Sequence, residues 1–185
     1  MAFIHTLQDL MEVQSDSGRS LSFTVTGDPP TQERHRIVFM RSPPRGRMRH
    51  HMYDPSGNKK RRYATMVSTA MLQYGLTLPY FNSDEPVSVD IRFILPRRRQ
   101  DVILQDDGSS VLTQTAQTFP RMKDVDNLLK FVMDALQSVL YNNDVTITSV
   151  RVTKVFAENA NARGCTELQF ATSSQTPPLA TGVWI

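Results

Sequence analysis

Apolar and polar residues alternate most cleanly in "PVSVDIRFILP" (Pro86 to Pro96). Val87, Val89, Ile91, Phe93 and Leu95 fall on one face at period two, which predicts a strand. The pattern changes in "KDVDNLLKFVMDALQSVLYNND". There Val125, Leu128, Leu129, Val132, Met133, Leu136, Val139 and Leu140 make one broad stripe, predicting a helix from about Asp124 to Tyr141. "KRRYATMVSTAMLQYG" (Lys60 to Gly75) has weaker helical spacing and a glycine stop. Strands are predicted at Leu21 to Gly27, Arg36 to Met40, Val145 to Phe156 and Thr166 to Thr172. In Val145 to Phe156 the inward parity shifts near Ser149, so a bulge is expected there.

The stretch Arg41 to Asn58, rich in proline, glycine and charge, reads as a loop, as does the polar segment Arg97 to Pro120. The order β-β-α-β-α-β-β predicts an α+β domain, with two main helices packed on one small mixed β-sheet. That domain runs from 21 to 172. Residues 1–20 read as a polar extension with a short amphipathic turn or two, and 173–185 as a flexible tail.

Composition narrows the classes. The chain has 185 residues and 39% hydrophobic content, enough for one domain with a real core. No run approaches the roughly 18 apolar residues of a membrane span. The start, "MAFIHTLQDLMEVQ", lacks the layout of a secretory signal, and Asp9 and Glu12 argue against a transit peptide. The single Cys165 excludes an intrachain disulfide framework or a cysteine-cluster metal site. The expectation is a soluble intracellular protein with no membrane partner, in the cytoplasm or nucleoid if the source is bacterial or phage.

Net charge is only +3, but its distribution is lopsided. Between Arg34 and Arg62 ten Lys/Arg face one acid, Asp54, a local +9 that leaves the rest of the chain at −6. Arg34, Arg36, Arg45, Arg47, Arg49, Lys59, Lys60, Arg61 and Arg62 are therefore candidate contacts to a polyanion. The competing explanation is a solvated basic surface.

The long predicted helix carries Asp124, Asp126 and Lys130 at its start and Asp144 just past its end. Singly, each has an ordinary explanation. Asp124 can cap the helix, Asp126 suits the dipole, Asp126 and Lys130 can pair at i,i+4 for roughly 0.2–0.5 kcal/mol, and Asp144 follows two turn-forming asparagines. Jointly they are hard oxygen donors of the kind Mg²⁺ prefers, beside an ammonium able to stabilise a developing oxyanion. Metal-assisted phosphodiester hydrolysis uses that set of groups.

A helix over Asp124 to Tyr141 is about 26 Å long, and the three residues beyond it reach at most about 10–11 Å. Asp144 then cannot return to Asp124 and Asp126 of its own chain unless the helix breaks early. A twofold dimer with antiparallel helices would bring them together across subunits and create two equivalent sites.

These residues also resemble the RusA family of Holliday junction resolvases. The family pattern Asp-x-Asp-Asn-x-x-Lys, Asp-Ala-Leu and Asp-Asp-x-x-Ile/Val is matched by Asp124, Asp126, Asn127 and Lys130, by Asp134-Ala135-Leu136, and by Asn143, Asp144 and Ile147. Upstream, "GDPPTQERHRI" is similar to the family's Gly-x-Pro segment with two arginines, placing Gly27, Pro29, Arg34 and Arg36. "YDPSGNKKRRY" resembles its Tyr-x-Pro segment. The resemblance covers about residues 21–170.

It implies a dimeric, Mg²⁺-dependent endonuclease, with Mn²⁺ as a substitute, that nicks four-way DNA junctions in pairs during recombination and repair. It further implies metal ligation by Asp124, Asp126 and Asp144, a catalytic Lys130, and DNA contact by Arg34, Arg36 and the basic loop. Asp134, in mid-helix, reads as structural. Asn143 departs from the family's first aspartate and removes one charge from the pocket. It motivates the alternative of a junction- or DNA-binding protein with weak or no nuclease activity.

Overall fold

The computed structural model describes residues 6–15, 18–42, 47–106, 110–158 and 162–172. Its centre is a five-stranded sheet in the order β1 (Thr6–Ser15), β2 (Gly18–Thr26), β9 (Cys165–Thr172), β5 (Val87–Leu95), β8 (Ile147–Phe156). Only β5 and β8 pair in parallel; the other neighbours are antiparallel. A parallel pair needs a long crossover, and here the crossover carries α2 (Val125–Leu136). The sheet is mixed and the domain α+β, as the element order predicted.

The strand β5 falls one residue inside the predicted Pro86 to Pro96 at each end, and all five of its period-two apolar residues are buried. In β8 the register slips so that Val87 and Ser88 face Ile147 and Ser149, leaving Thr148 as the extra residue beside the expected bulge position. Leu21, Phe23 and Val25 of β2 and Leu168 and Phe170 of β9 complete the buried face of the sheet.

Against that face pack α2 and α1 (Gly57–Gln73), the latter through Tyr63, Val67 and Met71. Tyr63 meets Phe131 of α2 edge-on at 5.8 Å between ring centroids. Helix α1 closes in a Schellman arrangement: Gly75 at φ +77 lets Leu76 N–H reach Met71 O (3.0 Å) and its own N–H reach Leu72 O (3.0 Å). Gly164 marks a close approach, since a Cβ there would sit 2.7 Å from Ile94 O and 2.9 Å from Pro29 Cδ.

Four expectations change. Residues 6–15, expected within a polar extension, are β1, paired along β2, because a partner strand overrides weak local propensity. The segment expected as a basic loop contains β4 (Arg47–Tyr53), which pairs with β3 (Arg36–Ser42) in a separate two-stranded ribbon. The expected loop Arg97 to Pro120 holds a 3₁₀ turn (Arg99–Asp101) and a small hairpin of β6 (Val102–Leu104) and β7 (Ser110–Leu112). Asp101 anchors it, accepting from Arg98 Nη2 at 2.7 Å while its carbonyl takes Thr113 N–H at 3.0 Å.

The fourth change is the length of α2, which stops at Leu136 rather than near Tyr141. Gln137 is extended and Ser138 is left-handed at φ +68. The following carbonyls find partners outside a helix, with Phe81 N–H donating to Leu140 O (2.8 Å) and Tyr80 N–H to Val139 O (3.3 Å). Tyr141 Oη donates to Met133 O (2.7 Å), a second bond on the carbonyl that also takes Gln137 N–H (3.1 Å). Val139, Leu140 and Tyr141 are still buried, so the apolar stripe continues through a turn instead of a helix. The expected tail, 173–185, lies outside the described residues.

Candidate active site

The approach to α2 is clamped from two sides. Lys123, left-handed at φ +58, sends its ammonium to Pro29 O (2.6 Å) and to Asp28 Oδ1 (2.7 Å). The Asp28 contact is one of charge, since that oxygen lacks the alignment of a hydrogen bond. Lys154 of β8 reaches under the same loop and donates to Lys123 O (2.7 Å) and Met122 O (3.3 Å). A third tie comes from Gln32, whose N–H donates to Asn127 O (2.9 Å) in the first turn of α2. These contacts fix where Asp124 and Asp126 start.

Asp124 occupies the N-cap position with extended backbone (φ −64, ψ 139), and its carbonyl accepts Leu128 N–H at 3.1 Å. Its carboxylate makes no capping bond. The expected Asp126–Lys130 ion pair does not form either. Asp124, Asp126 and Lys130 all lie exposed, Asp124 at the helix mouth and Asp126 and Lys130 on the side of α2 opposite Leu128, Phe131, Val132 and Ala135. Among the described residues none of these three charged side chains has a hydrogen-bond or ion-pair partner.

Asp144 is also exposed and unpaired among the described residues, and it opens a 3₁₀ turn (Asp144–Thr146). Asn143 caps that turn, its Oδ1 accepting Val145 N–H at 3.2 Å and its carbonyl accepting Thr146 Oγ1 at 2.8 Å. The side chain at which the sequence departs from the pattern it resembles is thus turned to its own backbone. Asp144 stands near the C-terminal end of α2: burial first, then the charges of Asp144 and Asp134, push the Tyr141 phenol up.

The twelve residues of α2 span about 18 Å. The early stop therefore does not return Asp144 to Asp124 and Asp126. Among the described residues no three His, Cys, Asp or Glu side chains of one chain come close enough to hold a metal ion.

The basic candidates separate into groups. Arg34 and Arg36 are exposed at the root of the ribbon; Arg36 Nη2 donates to Glu33 Oε2 (3.3 Å). Lys59 Nζ donates to Glu33 Oε1 (2.7 Å), and this bond holds the Glu33 carboxyl below its usual value. Arg61 and Arg62 are exposed on α1 and line a groove of about 800 Å³ with Leu7 and Thr65. Arg45 lies outside the described residues, and for Arg47 and Arg49 only the backbone is described.

Lys60 differs from the rest of its run. Its side chain is only 15% exposed and its ammonium donates to Asp54 Oδ2 and Asp134 Oδ2, both at 2.8 Å. Burial pushes Lys60 down, yet the bonds from Asp134 and Asp54 outweigh it and leave the group above its ordinary value. Burial likewise raises Asp54, but bonds from Lys60, Ser56 N–H and Gln32 carry it down to about 2. This bridge joins α1, α2 and the end of the ribbon.

Sequence reasoning missed Asp28, Gln32, Lys123 and Lys154. The only signal was that Lys154 sits in an amphipathic strand, and its partners are some thirty positions away.

With the geometry in place, comparison with known proteins agrees with the resemblance. The family model described as "Endodeoxyribonuclease RusA" matches residues 27–163. The chain belongs to the RusA family of endodeoxyribonucleases, and the class of activity is that of a nuclease acting on DNA. A curated relative from Bacillus subtilis (strain 168), the uncharacterized protein YqaN, is 28% identical over 143 residues, covering 75% of this chain and 89% of its own length. Among the described residues no helix is long and apolar enough to cross a membrane.

Proposed function

We propose that the protein is a Mg²⁺-dependent endonuclease that resolves four-way DNA junctions by paired symmetric nicks, working as a twofold dimer in recombination and repair. The observation that carries this reading is the state of four side chains. Asp124, Asp126, Lys130 and Asp144 stay exposed and unpaired among the described residues, although capping and i,i+4 pairing were available to them. Apart from the favourable place of Asp126 at the positive end of the helix dipole, none of these charges makes a bond that holds the fold.

The donor set fits the metal, since three free carboxylates provide hard oxygen ligands. Asp124 and Asp126 of one subunit, with the partner subunit's Asp144, would hold it. When bound, such an ion supplies an activated water and charge neutralisation at the phosphate. Lys130, one turn on from Asp126, would stabilise the charge developing on the phosphate oxygens. Asp28, Lys123, Lys154 and Gln32 keep the start of α2 in register. Arg34, Arg36, Lys59, Arg61 and Arg62 would contact DNA phosphates together with Arg45, Arg47 and Arg49; Lys60 is assigned to structure.

A synthetic four-way junction with Mg²⁺ tests the reading. The wild type should cut it in symmetric pairs, while Asp126→Asn and Lys130→Ala should bind it and cut at least 100-fold more slowly. A wild type that binds junctions but never nicks with Mg²⁺ or Mn²⁺ would leave the alternative, a junction-binding protein without catalysis.

A further inference from the structure

The ribbon of β3 and β4 has no use in the core. Every residue whose side chain is described along it, 36–39 and 50–53, is exposed on both faces. The register places Ile37 opposite Met52 and Phe39 opposite His50 on one face, and Arg36 opposite Tyr53 and Val38 opposite His51 on the other. The first face carries Ile37 (55% exposed), Phe39 (66%) and Met52 (63%) beside His50, and is the more apolar of the two; the second carries Val38 (41%) and Tyr53 (38%) beside Arg36 and His51. An isolated two-stranded hairpin is marginal in water, and an uncovered apolar strand face invites an occupant.

The charge selects the occupant. The ribbon lies within the segment of ten Lys/Arg and one acid, and that acid, Asp54, is already committed to Lys60. Such a field repels a second copy of itself and draws a polyanion. A stacked duplex offers phosphates to the basic residues but little for Phe39, Ile37 and Met52. Base faces satisfy them, and a branch point is where bases are least stacked.

Position agrees. At the root of the ribbon Gln32 N–H bonds Asn127 O (2.9 Å) in the first turn of α2, Gln32 Nε2 bonds Asp54 Oδ1 (3.1 Å), and Glu33 N–H bonds Ser56 Oγ (2.8 Å). The ribbon is therefore tied at its root to the first turn of α2, which carries Asp126, and at seven residues per strand it is about 23 Å long.

Resting on the junction-resolving reading above, we propose that this ribbon is a wedge. Phe39, flanked by Ile37 and Met52, stacks on unpaired bases at the branch point while the opposite face and its flanks hold the phosphates. The carboxylates at its root would then meet the strands at a fixed distance from the crossover.

The test uses the full-length chain and a four-way junction carrying 2-aminopurine at the branch point, with Ca²⁺ in place of Mg²⁺ to hold off cleavage. Wild type should raise 2-aminopurine fluorescence on binding. Phe39→Ala should abolish the rise and weaken junction binding about tenfold, the size of one stacked base, while duplex binding and the melting temperature stay unchanged. Phe39→Trp should restore the rise.

A wild-type complex that binds and, with Mg²⁺, cuts the junction without a fluorescence rise overturns the wedge and leaves the nuclease reading standing. So does a rise that persists in Phe39→Ala and in Phe39→Ala with Ile37→Ser. Sedimentation of Phe39→Ala as a smaller species than wild type also overturns it, because the apolar face would then be covered by a second copy. A protein that does not bind the junction at all overturns both readings.

Discussion

Replacing Lys60 by methionine keeps most of the side-chain volume and removes the charge that joins Asp54 to Asp134. At neutral pH two carboxylates would then face the space their shared ammonium had occupied. The displacement of Asp54 from 3.8 to about 2 corresponds, at 1.36 kcal/mol per unit, to about 2 kcal/mol. Asp54 keeps about a fifth of its side-chain exposure, and Ser56 and Gln32 share its bonds, so the Lys60 part is about 1 kcal/mol. Lost contact with Asp134 and the new repulsion bring the expected cost to about 2 kcal/mol. That lies between an exposed pair, at about 0.2–1 kcal/mol, and a broken buried one, at about 3–5 kcal/mol.

Urea unfolding at pH 7 measures this cost directly, and melting should show a fall of about 4–8 °C for a chain of this size. Lys60→Met combined with Asp54→Asn should recover about half, because the carboxylate left unpaired is gone. The pH dependence follows the same logic: a carboxyl held low contributes stability above about pH 4 that is lost as pH falls towards 2, so the gap between wild type and Lys60→Met should narrow over that window. Junction binding by Lys60→Met should keep its salt dependence. A slope smaller by about 0.9 per decade of salt would show that Lys60 contacts a phosphate. A variant within about 0.5 kcal/mol of wild type, or no recovery in the double variant, would refute the bridge.

Three other expectations concern the site. Asp126→Asn and Asp144→Asn, each inactive alone, should regain junction cleavage when mixed and re-equilibrated. In a shared arrangement one of the two sites in the heterodimer is intact, whereas a site built within one chain would give no recovery. Asn143→Asp should lower the Mg²⁺ concentration needed for half-maximal cleavage by several-fold and change urea stability by less than about 0.5 kcal/mol, since an aspartate caps the 3₁₀ turn as well as asparagine does; unchanged Mg²⁺ dependence would separate position 143 from the metal. Lys154→Met should cost about 1–2 kcal/mol by freeing the carbonyls of Met122 and Lys123 and should slow cleavage at least tenfold with junction affinity retained, whereas full cleavage activity would reduce Lys154 to a stability role.

The legible parts of the fold were those with a strict period. β5 had one apolar residue every second position and a proline at each end, and it was predicted to within one residue at either end. In α2 the stripe was read correctly as a buried face, but it ran on through Val139 and Leu140 after the helix had ended. Both residues are buried, so hydrophobicity could not distinguish helix from turn. What stops the helix is Ser138 in the left-handed region and a backbone offered by Tyr80 and Phe81, about sixty positions away.

In the ribbon β3 was predicted at Arg36 to Met40, but its partner β4 was hidden for a different reason. Its apolar residues face no core, so the usual inward-outward alternation never told a strand from a solvated loop. At the site, the motif residues were legible as chemistry, whereas the bonds that hold them (Lys123 to Asp28, Lys154 to Lys123, Gln32 to Asn127) were not, because nothing local marks a partner in distant sequence.

The family match ends at residue 163, yet β9 begins at Cys165 and lies between β2 and β5. A fragment trimmed to the matched boundaries would retain Asp124, Asp126, Lys130 and Asp144 but lose β1, β2 and the central strand β9. β5 would then have a bare edge, and Phe81 would lose its ring contact with Phe170. Expression of residues 27–163 alone should therefore yield insoluble protein, and working boundaries should run at least from Thr6 to Thr172.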